Sequence, residues 1–366
     1  MQPAATLQRT DFADLGGWAA DTFVDALRAF QRSALHAKTK AYRTGSLGLG
    51  PADFAEAYQS ALALNDADEE AARRFFETNF VPFRIRPGEG EDGFVTGYFE
   101  PIVEASRHRT DVFCYPLLRR PDDLIDLDDT NRPADLDPQF MFGRQTDSGI
   151  VAYHDRGEIE TGALAGRGLE MAWLADEFET FLIHVQGAAR LQFPDGEQRV
   201  TYAAKSGHPF TGPGKVLVDM GVLQRETVDL NGIRTAIRRF GKERSRILRH
   251  NRSYIFFREA EVDDPELGPI AAAKVPLTPG RSLAVDRLIH TFGTPFFIHA
   301  PKLTQVDSQP FARLMIAQDT GSAIVGPARG DLFIGSGEAA GEIAGVIKQQ
   351  AAFTILVPKL AAERFG

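Results

Sequence analysis

Apolar positions recur at three- and four-residue intervals through the first eighty residues. Trp18, Phe23, Val24, Leu27 and Phe30 keep that spacing between Asp14 and about Lys40, and the pattern predicts an amphipathic helix there, with further helices over Pro51–Ala63 and Asp66–Asn79. The period then changes. Gly93-Phe-Val-Thr-Gly-Tyr-Phe-Glu-Pro-Ile-Val alternates as a strand does, and much of the remaining chain reads as short strands punctuated by Gly and Pro. Residues 120–150, rich in Asp, Arg and Pro with little periodicity, suggest a long connection or surface excursion. Glu179–Phe193 and Glu197–Ala204 flank Pro194-Asp195-Gly196, a turn signal that predicts a β-hairpin. Val228–Arg249 predicts a helix with a stripe of Ile233, Ile237, Phe240 and Ile247, broken at Gly241. SYIFFRE, RLMIAQD, DLFIGSG and FTILVPK return to strands. The fold class expected is mainly β with N-terminal helices, either one domain split by an inserted second or two consecutive domains.

Composition narrows the function more than the fold. At 366 residues the chain can bury a sizeable core and is long enough for two domains. Phe outnumbers the other aromatics, 27 against 7 Tyr and 2 Trp, which speaks of core packing rather than a stacked ligand platform. The formal charge of -9 argues against nucleic acid as a partner, because the surface repels a polyanion. Cys114 is the single cysteine, so neither an intrachain disulfide nor a thiolate zinc site is expected. The N-terminal MQPAATLQRTDFADLGGW has no charged leader, apolar core or cysteine, and no later run is long enough to span a bilayer. The expectation is a cytoplasmic chain or one whose export signal has been removed.

Candidate chemistry emerges by elimination. The eight histidines lie scattered without metal-ligand spacing, and there is no GxSxG elbow, Walker loop or GxGxxG helix start, so neither metal nor cofactor is expected. Carboxylates remain. Between Gly280 and Ser336 three aspartates sit beside apolar runs, in Leu283-Ala-Val-Asp286, Met315-Ile-Ala-Gln-Asp319-Thr-Gly and Gly330-Asp331-Leu-Phe-Ile-Gly. Such a carboxylate is either ionised and held by backbone N–H groups as a turn cap, or desolvated so that its pKa rises towards neutrality. For one aspartate the turn cap is the commoner outcome; three in one region shift the reading towards chemistry.

Ala317-Gln-Asp319-Thr-Gly321-Ser-Ala323-Ile324, followed by Gly330-Asp331-Leu-Phe-Ile-Gly335, resembles the three-aspartate domain, here carrying Asp286, Asp319 and Asp331. Thr96-Gly97-Tyr98-Phe99-Glu100-Pro101, Tyr115-Pro116, His184-Val-Gln186-Gly187 and Tyr202-Ala-Ala-Lys205-Ser-Gly207-His208 precede it. In that order the motifs resemble the membrane-bound lytic transglycosylase A family, glycoside hydrolase family 102, from about residue 80 to the C-terminus. Two departures are visible: Ala188-Ala189 stand where the family has Ser-Gly, and the Val325–Gly330 loop differs.

The resemblance implies a double-psi β-barrel built from residues 1–105 and 251–366, interrupted by a smaller β-rich domain at 106–250 that forms the other wall of a glycan groove. It implies cleavage of the β-1,4 bond between N-acetylmuramic acid and N-acetylglucosamine in peptidoglycan, leaving 1,6-anhydromuramoyl ends. It also implies a periplasmic location, outer-membrane attachment in the full-length form and association with cell-wall enzyme complexes. An ordinary glycosidase needs two carboxylates. Here the muramic acid C6 hydroxyl is the attacking group, so one carboxyl donates a proton and then accepts one. By motif position that group is Asp331, with Asp319 in a catalytic and Asp286 in a supporting or structural role. Thr96, Tyr98 and Glu100 are expected on one face of a strand, with Tyr98 either stacking on a sugar or simply half-buried. Gln186, Arg190 and Gln192 are expected along one face of the hairpin. Tyr202 and Lys205 join the substrate-binding set, and basic groups suit the substrate's carboxylates. Gly97 is included with them, and Gly187 either admits the saccharide to the backbone or marks a bulge. Two other readings stay open: a hydrolase on the same scaffold with Asp319 or Glu100 as base, and a peptidoglycan-binding protein without turnover.

Overall fold

The structure, a computed structural model, describes residues 6–88, 92–128, 130–138 and 140–365. The chain divides into two compact units, Met1–Phe99 with Val262–Gly366, and Glu100–Glu261. The divisions fall at Phe99/Glu100 and Glu261/Val262 rather than near residues 105 and 250. The fold is mostly β with some helices, as the hydrophobic periodicity requires.

The first unit begins with β1 (Thr6–Arg9) and three helices, α1 (Val24–Thr39), α2 (Ala55–Ala63) and α3 (Glu69–Asn79). Helix α1 buries Ala26, Leu27, Ala29, Phe30, Ser33 and Ala34, the stripe its spacing predicts. Phe23 at its N-cap has no capping side chain, and the carboxylate of Glu69 accepts from the backbone N–H groups of Phe23 and Val24 instead. Helix α3 is capped by Asp68, which accepts from Ala71 N–H at 2.8 Å. Strands β2 (Phe80–Arg86) and β3 (Gly93–Glu100) follow.

Among the described residues the second unit has three sheets. A four-stranded sheet takes the order β12-β11-β10-β4 from β4 (Ile102–Glu104), β10 (Ala188–Phe193), β11 (Gly196–Lys205) and β12 (Ile255–Ala260). Strands β5 (Tyr115–Leu118) and β9 (Glu170–Leu174) pair alone. The stretch expected as a loose excursion instead holds a meander of β6 (Leu124–Asp126), β7 (Phe142–Thr146) and β8 (Gly149–Val151). Its strands are too short to show a period. Helices are as much a part of this unit as strands: one-turn α4 (Arg156–Glu158), then α5 (Glu177–Gln186), α6 (Pro213–Asp219), α7 (Leu230–Arg239) and α8 (Arg244–Leu248). Phe178, Phe181, Val216, Leu217, Ala236, Ile237, Ile247 and Leu248 pack together as their core.

One expectation fails here. Glu179–Gln186 is helical, so only β10 and β11 form the hairpin around Pro194-Asp195, with Phe193 opposite Gly196. Asp176 caps the helix through the N–H groups of Phe178 and Glu179, and Gly187 ends it in the left-handed conformation at φ 78°.

The chain then returns to the first unit with β13 (Ser282–Val285), β14 (Pro295–Ala300), β15 (Phe311–Asp319), β16 (Arg329–Ser336), α9 (Glu338–Ala344), β17 (Lys348–Pro358) and α10 (Lys359–Ala362). The sheet order is β1-β2-β17-β14-β15-β13-β16-β3, and β17 also pairs β3. The first residues of β17, Lys348–Ala351, lie against β3, and Phe353–Pro358 against β2. Phe30, Phe54, Phe76 and Phe80 from the helical layer share one core with Phe296, Met315, Ile316 and Leu356 from the sheet. The helices therefore cover the sheet's apolar face, and area buried in this way supplies the main favourable term in folding.

Candidate active site

Ala284 on β13 lies opposite Asp319 on one neighbouring strand and opposite Asp331 on the other. Directly opposed residues share a sheet face, so both carboxyls rise from the same face with only a methyl group between them. Two inter-strand spacings put their Cα atoms about 10 Å apart. Beneath them Tyr98, Leu277, Ala284, Ile324 and Phe333 form an apolar cluster. Both aspartates are half-buried. Desolvation pushes the Asp319 carboxyl up to about 6, with backbone and Tyr98 hydrogen bonds pulling the other way and Asp331 adding to the rise. Asp331 is also raised, again by desolvation, against the opposing pull of Arg329 and Thr96.

The two carboxyls are held differently. Asp319 accepts from Tyr98 OH at 3.0 Å on one oxygen and from Ala272 N–H at 3.2 Å on the other. Asp331 accepts on Oδ1 from Thr96 Oγ1 at 2.6 Å, and among the described residues Oδ2 has no hydrogen-bond partner. Behind Asp319, the buried Gln318 amide donates to Ala29 O at 2.8 Å and Ser33 Oγ at 2.9 Å, and its oxygen accepts from Ser282 Oγ at 2.6 Å. That satisfied network fixes the end of β15 to α1.

Asp286 belongs to the framework. Its carboxylate accepts from Leu288 N–H at 3.0 Å and from Gly326 N–H at 2.9 Å, clamping the Val325–Gly330 loop that leads into Asp331. Thr320 adds a bond to Val285 O at 2.8 Å.

Thr96 and Tyr98 reach this face, but Tyr98 is 8% exposed and packs on Phe333, so its ring is unavailable as a stacking platform. Gly97 answers to packing: a Cβ there would lie 2.9 Å from Ala344 Cα in α9. The remaining candidates, Glu100, Gln186, Gly187, Arg190, Tyr202 and Lys205, belong to the second unit. Glu100, 1% exposed, is engaged by Arg190 Nε at 2.7 Å, an ion pair that ill suits it to act as a base. Gln186 ends a helix and so does not share the hairpin face with Arg190 and Gln192. Nothing lies within 4 Å of a Cβ placed on Gly187, whose positive φ as a helix C-cap accounts for it. Tyr202 is 39% exposed, and Lys205 closes β11. Ala188 and Ala189 are buried. Among the described residues no group of His, Cys, Asp and Glu gathers in a metal-binding arrangement, and no helix is long and apolar enough to cross a membrane.

Arg329 is the residue that reading the sequence missed. Its Nη2 donates to Thr96 Oγ1 at 2.7 Å, Nη1 donates to Gly330 O, and the guanidinium lies 5.6 Å from the Phe94 ring centroid. The only sequence signal was its place two residues before Asp331.

Residues 94–258 match the MltA specific insert domain and residues 281–357 the 3D domain. The crystal structure of a membrane-bound lytic murein transglycosylase from Agrobacterium tumefaciens is 50% identical, covers 99% of this chain and 100% of that one, and superposes with a TM-score of 0.94. The chain belongs to the MltA family. MltA from Neisseria gonorrhoeae is 31% identical with a TM-score of 0.79, over 97% of this chain and 93% of that one. Membrane-bound lytic murein transglycosylase A of Vibrio cholerae is 31% identical over 69% of this chain, and the match spans 62% of that relative, less than two thirds of its length. Within the MltA match, the 3D domain carries Asp286, Asp319, Arg329 and Asp331, while Thr96 and Tyr98 fall at the start of the insert-domain match.

Proposed function

We propose that the protein is a lytic transglycosylase of peptidoglycan, with Asp331 as acid and then base. The observation that carries this reading is the Asp331 carboxyl itself. It is desolvated, raised above the ordinary aspartate range, tethered through one oxygen and left with the other for a transferable proton. Asp331 protonates the glycosidic oxygen leaving the muramic acid C1. The C6 hydroxyl of the same sugar closes onto C1 and gives its proton to the Asp331 carboxylate, restoring the acid and producing the 1,6-anhydro ring. No water enters, so no second carboxylate is needed, in contrast to ordinary glycosidases. Asp319, with both oxygens occupied, suits a positioning role, and the neighbouring Asp331 charge adds to the rise of its own carboxyl.

Two finer assignments belong to the same proposal. The six strands β3 and β13–β17 are the double-psi β-barrel of the family, supported by the pairing that returns from β3 to β17. Tyr202 and Lys205 of the second unit contact the sugar rings and carboxylates of the substrate, supported by the exposure of the tyrosine and the charge of the lysine. A peptidoglycan substrate places the activity in the periplasm.

The deciding experiment is incubation with purified sacculi and identification of the released ends by mass spectrometry. Anhydromuramoyl ends are expected from the native protein. Asp331→Asn, which keeps the shape but loses the proton, should lower their release at least a thousandfold while leaving pull-down by sacculi unchanged. Reducing ends would indicate a hydrolase, and release by Asp331→Asn at the native rate would remove Asp331 from the mechanism.

A further inference from the structure

We propose that Arg329 is a positioning residue that acts on Asp331 through Thr96, and that this three-residue chain determines which oxygen of the carboxyl carries the transferable proton. The direction of the chain is fixed by its first member. A guanidinium has donors and no acceptor. Arg329 Nη2 donates to Thr96 Oγ1 at 2.7 Å, so the single Thr96 hydroxyl hydrogen is turned away from it, towards Asp331 Oδ1 at 2.6 Å. Oδ1 is therefore an acceptor in both protonation states, and the acidic proton resides on Oδ2, the oxygen with no partner among the described residues. Without Arg329 the Thr96 hydroxyl is free to accept from Asp331 as well as donate to it, and the carboxyl then places its proton on either oxygen.

The arginine is itself held in place. Its second terminal nitrogen donates to Gly330 O, and its face meets the Phe94 ring, so the cation cannot swing out to solvent without losing both contacts. Residues 329 to 331 are successive in β16, whereas Thr96 arrives from β3. The chain thus adds a side-chain tie between the strand carrying the acid and its neighbour in the sheet.

Arg329 also tunes the acid. Its charge opposes the desolvation of Asp331 and keeps the carboxyl from rising as far as its apolar bed would push it. Among the described residues, the other charged or titratable groups on the elements around Asp331 include Asp319 on β15, Tyr98 on β3, Lys348 on β17, which lies in register with Thr96, Asp286 just after β13, and Glu338 and Glu342 on α9, which packs against β16. None of these changes in the substitutions that follow.

The inference rests on Asp331 being the acid, and its test separates the two. The carboxyl carbons of aspartate-labelled protein are titrated by NMR, with Asp331→Asn identifying the resonance, and the pH profile of anhydromuramoyl release is measured in parallel. Arg329→Met should raise the Asp331 titration midpoint by about one pH unit and move the alkaline limb of the profile by the same amount. Arg329→Lys keeps the charge and should leave both near their native values, while losing the fork and about tenfold in turnover. Thr96→Val should lower turnover and raise the midpoint, and Thr96→Ser should restore both; these variants keep the test available if Arg329→Met does not fold. An Asp331 midpoint unmoved in both Arg329→Met and Thr96→Val would overturn the proposal, whatever happens to activity. A midpoint that moves while Asp331→Asn retains activity would support the coupling and sink the functional reading instead.

Discussion

Asp319 is the clearest case of one group caught between opposing forces. A phenol and a backbone amide both donate to it, yet burial outweighs them and its pKa sits near 6, above the ordinary 3.8. A raised carboxyl binds its proton more tightly in the folded state than in the unfolded chain. Its stabilising contribution is therefore complete below about pH 3.8 and is lost as the pH rises through about 6. Asp319→Asn, which cannot ionise, should flatten the fall in melting temperature between pH 4 and pH 7 relative to the native protein. Thermal melts across that range check it, and an unchanged slope would mean the carboxyl is not raised. Asp331 shifts in the same direction, so some slope should persist in the variant. Asp319 and Asp331 were legible from sequence because each is a charge set in an apolar run. Arg329 was not, since one arginine beside a glycine reads as a solvated charge, and its partner Thr96 lies 233 residues away in the chain.

At the scale of elements, most helices and strands follow from the period of their apolar residues, and the failures have local causes. Glu179–Gln186 reads as part of a hairpin strand because its continuous apolar run suits a buried strand as well as a buried helix. The Asp176 cap and the left-handed Gly187 decide for the helix. Gly97 shows the opposite problem. The sequence motif places it with the substrate-binding residues, but the structure uses it to bring α9 against β3. Gly97→Ala would drive its methyl into Ala344 and Ile347, both within 3 Å of the new Cβ. The strand carrying Thr96 and Tyr98 would have to shift. We expect a loss of about 1–3 kcal/mol in stability from this overpacking, measured by urea denaturation, and a fall in turnover larger than any change in binding to sacculi. Native stability and turnover in that variant would show that the close approach is dispensable.

Over the whole molecule, the proposed chemistry asks little of cofactors. The attacking hydroxyl comes from the substrate and one carboxyl handles both proton transfers, so release of anhydromuramoyl ends should be the same with and without excess chelator. Activity lost to the chelator and restored by a divalent cation would contradict the one-carboxyl mechanism. The sequence by itself determined the helical first layer, the strands around the three aspartates, the family and the apolar setting of Asp331, because each depends on neighbours a few residues away. Tertiary structure alone decided the rest. It set Asp319 and Asp331 either side of Ala284, gave Asp286 to two backbone amides, buried Tyr98, paired Glu100 with Arg190 and brought Arg329 to Thr96. These depend on strand register and on contacts between distant segments, which the pattern of residues along one strand does not encode.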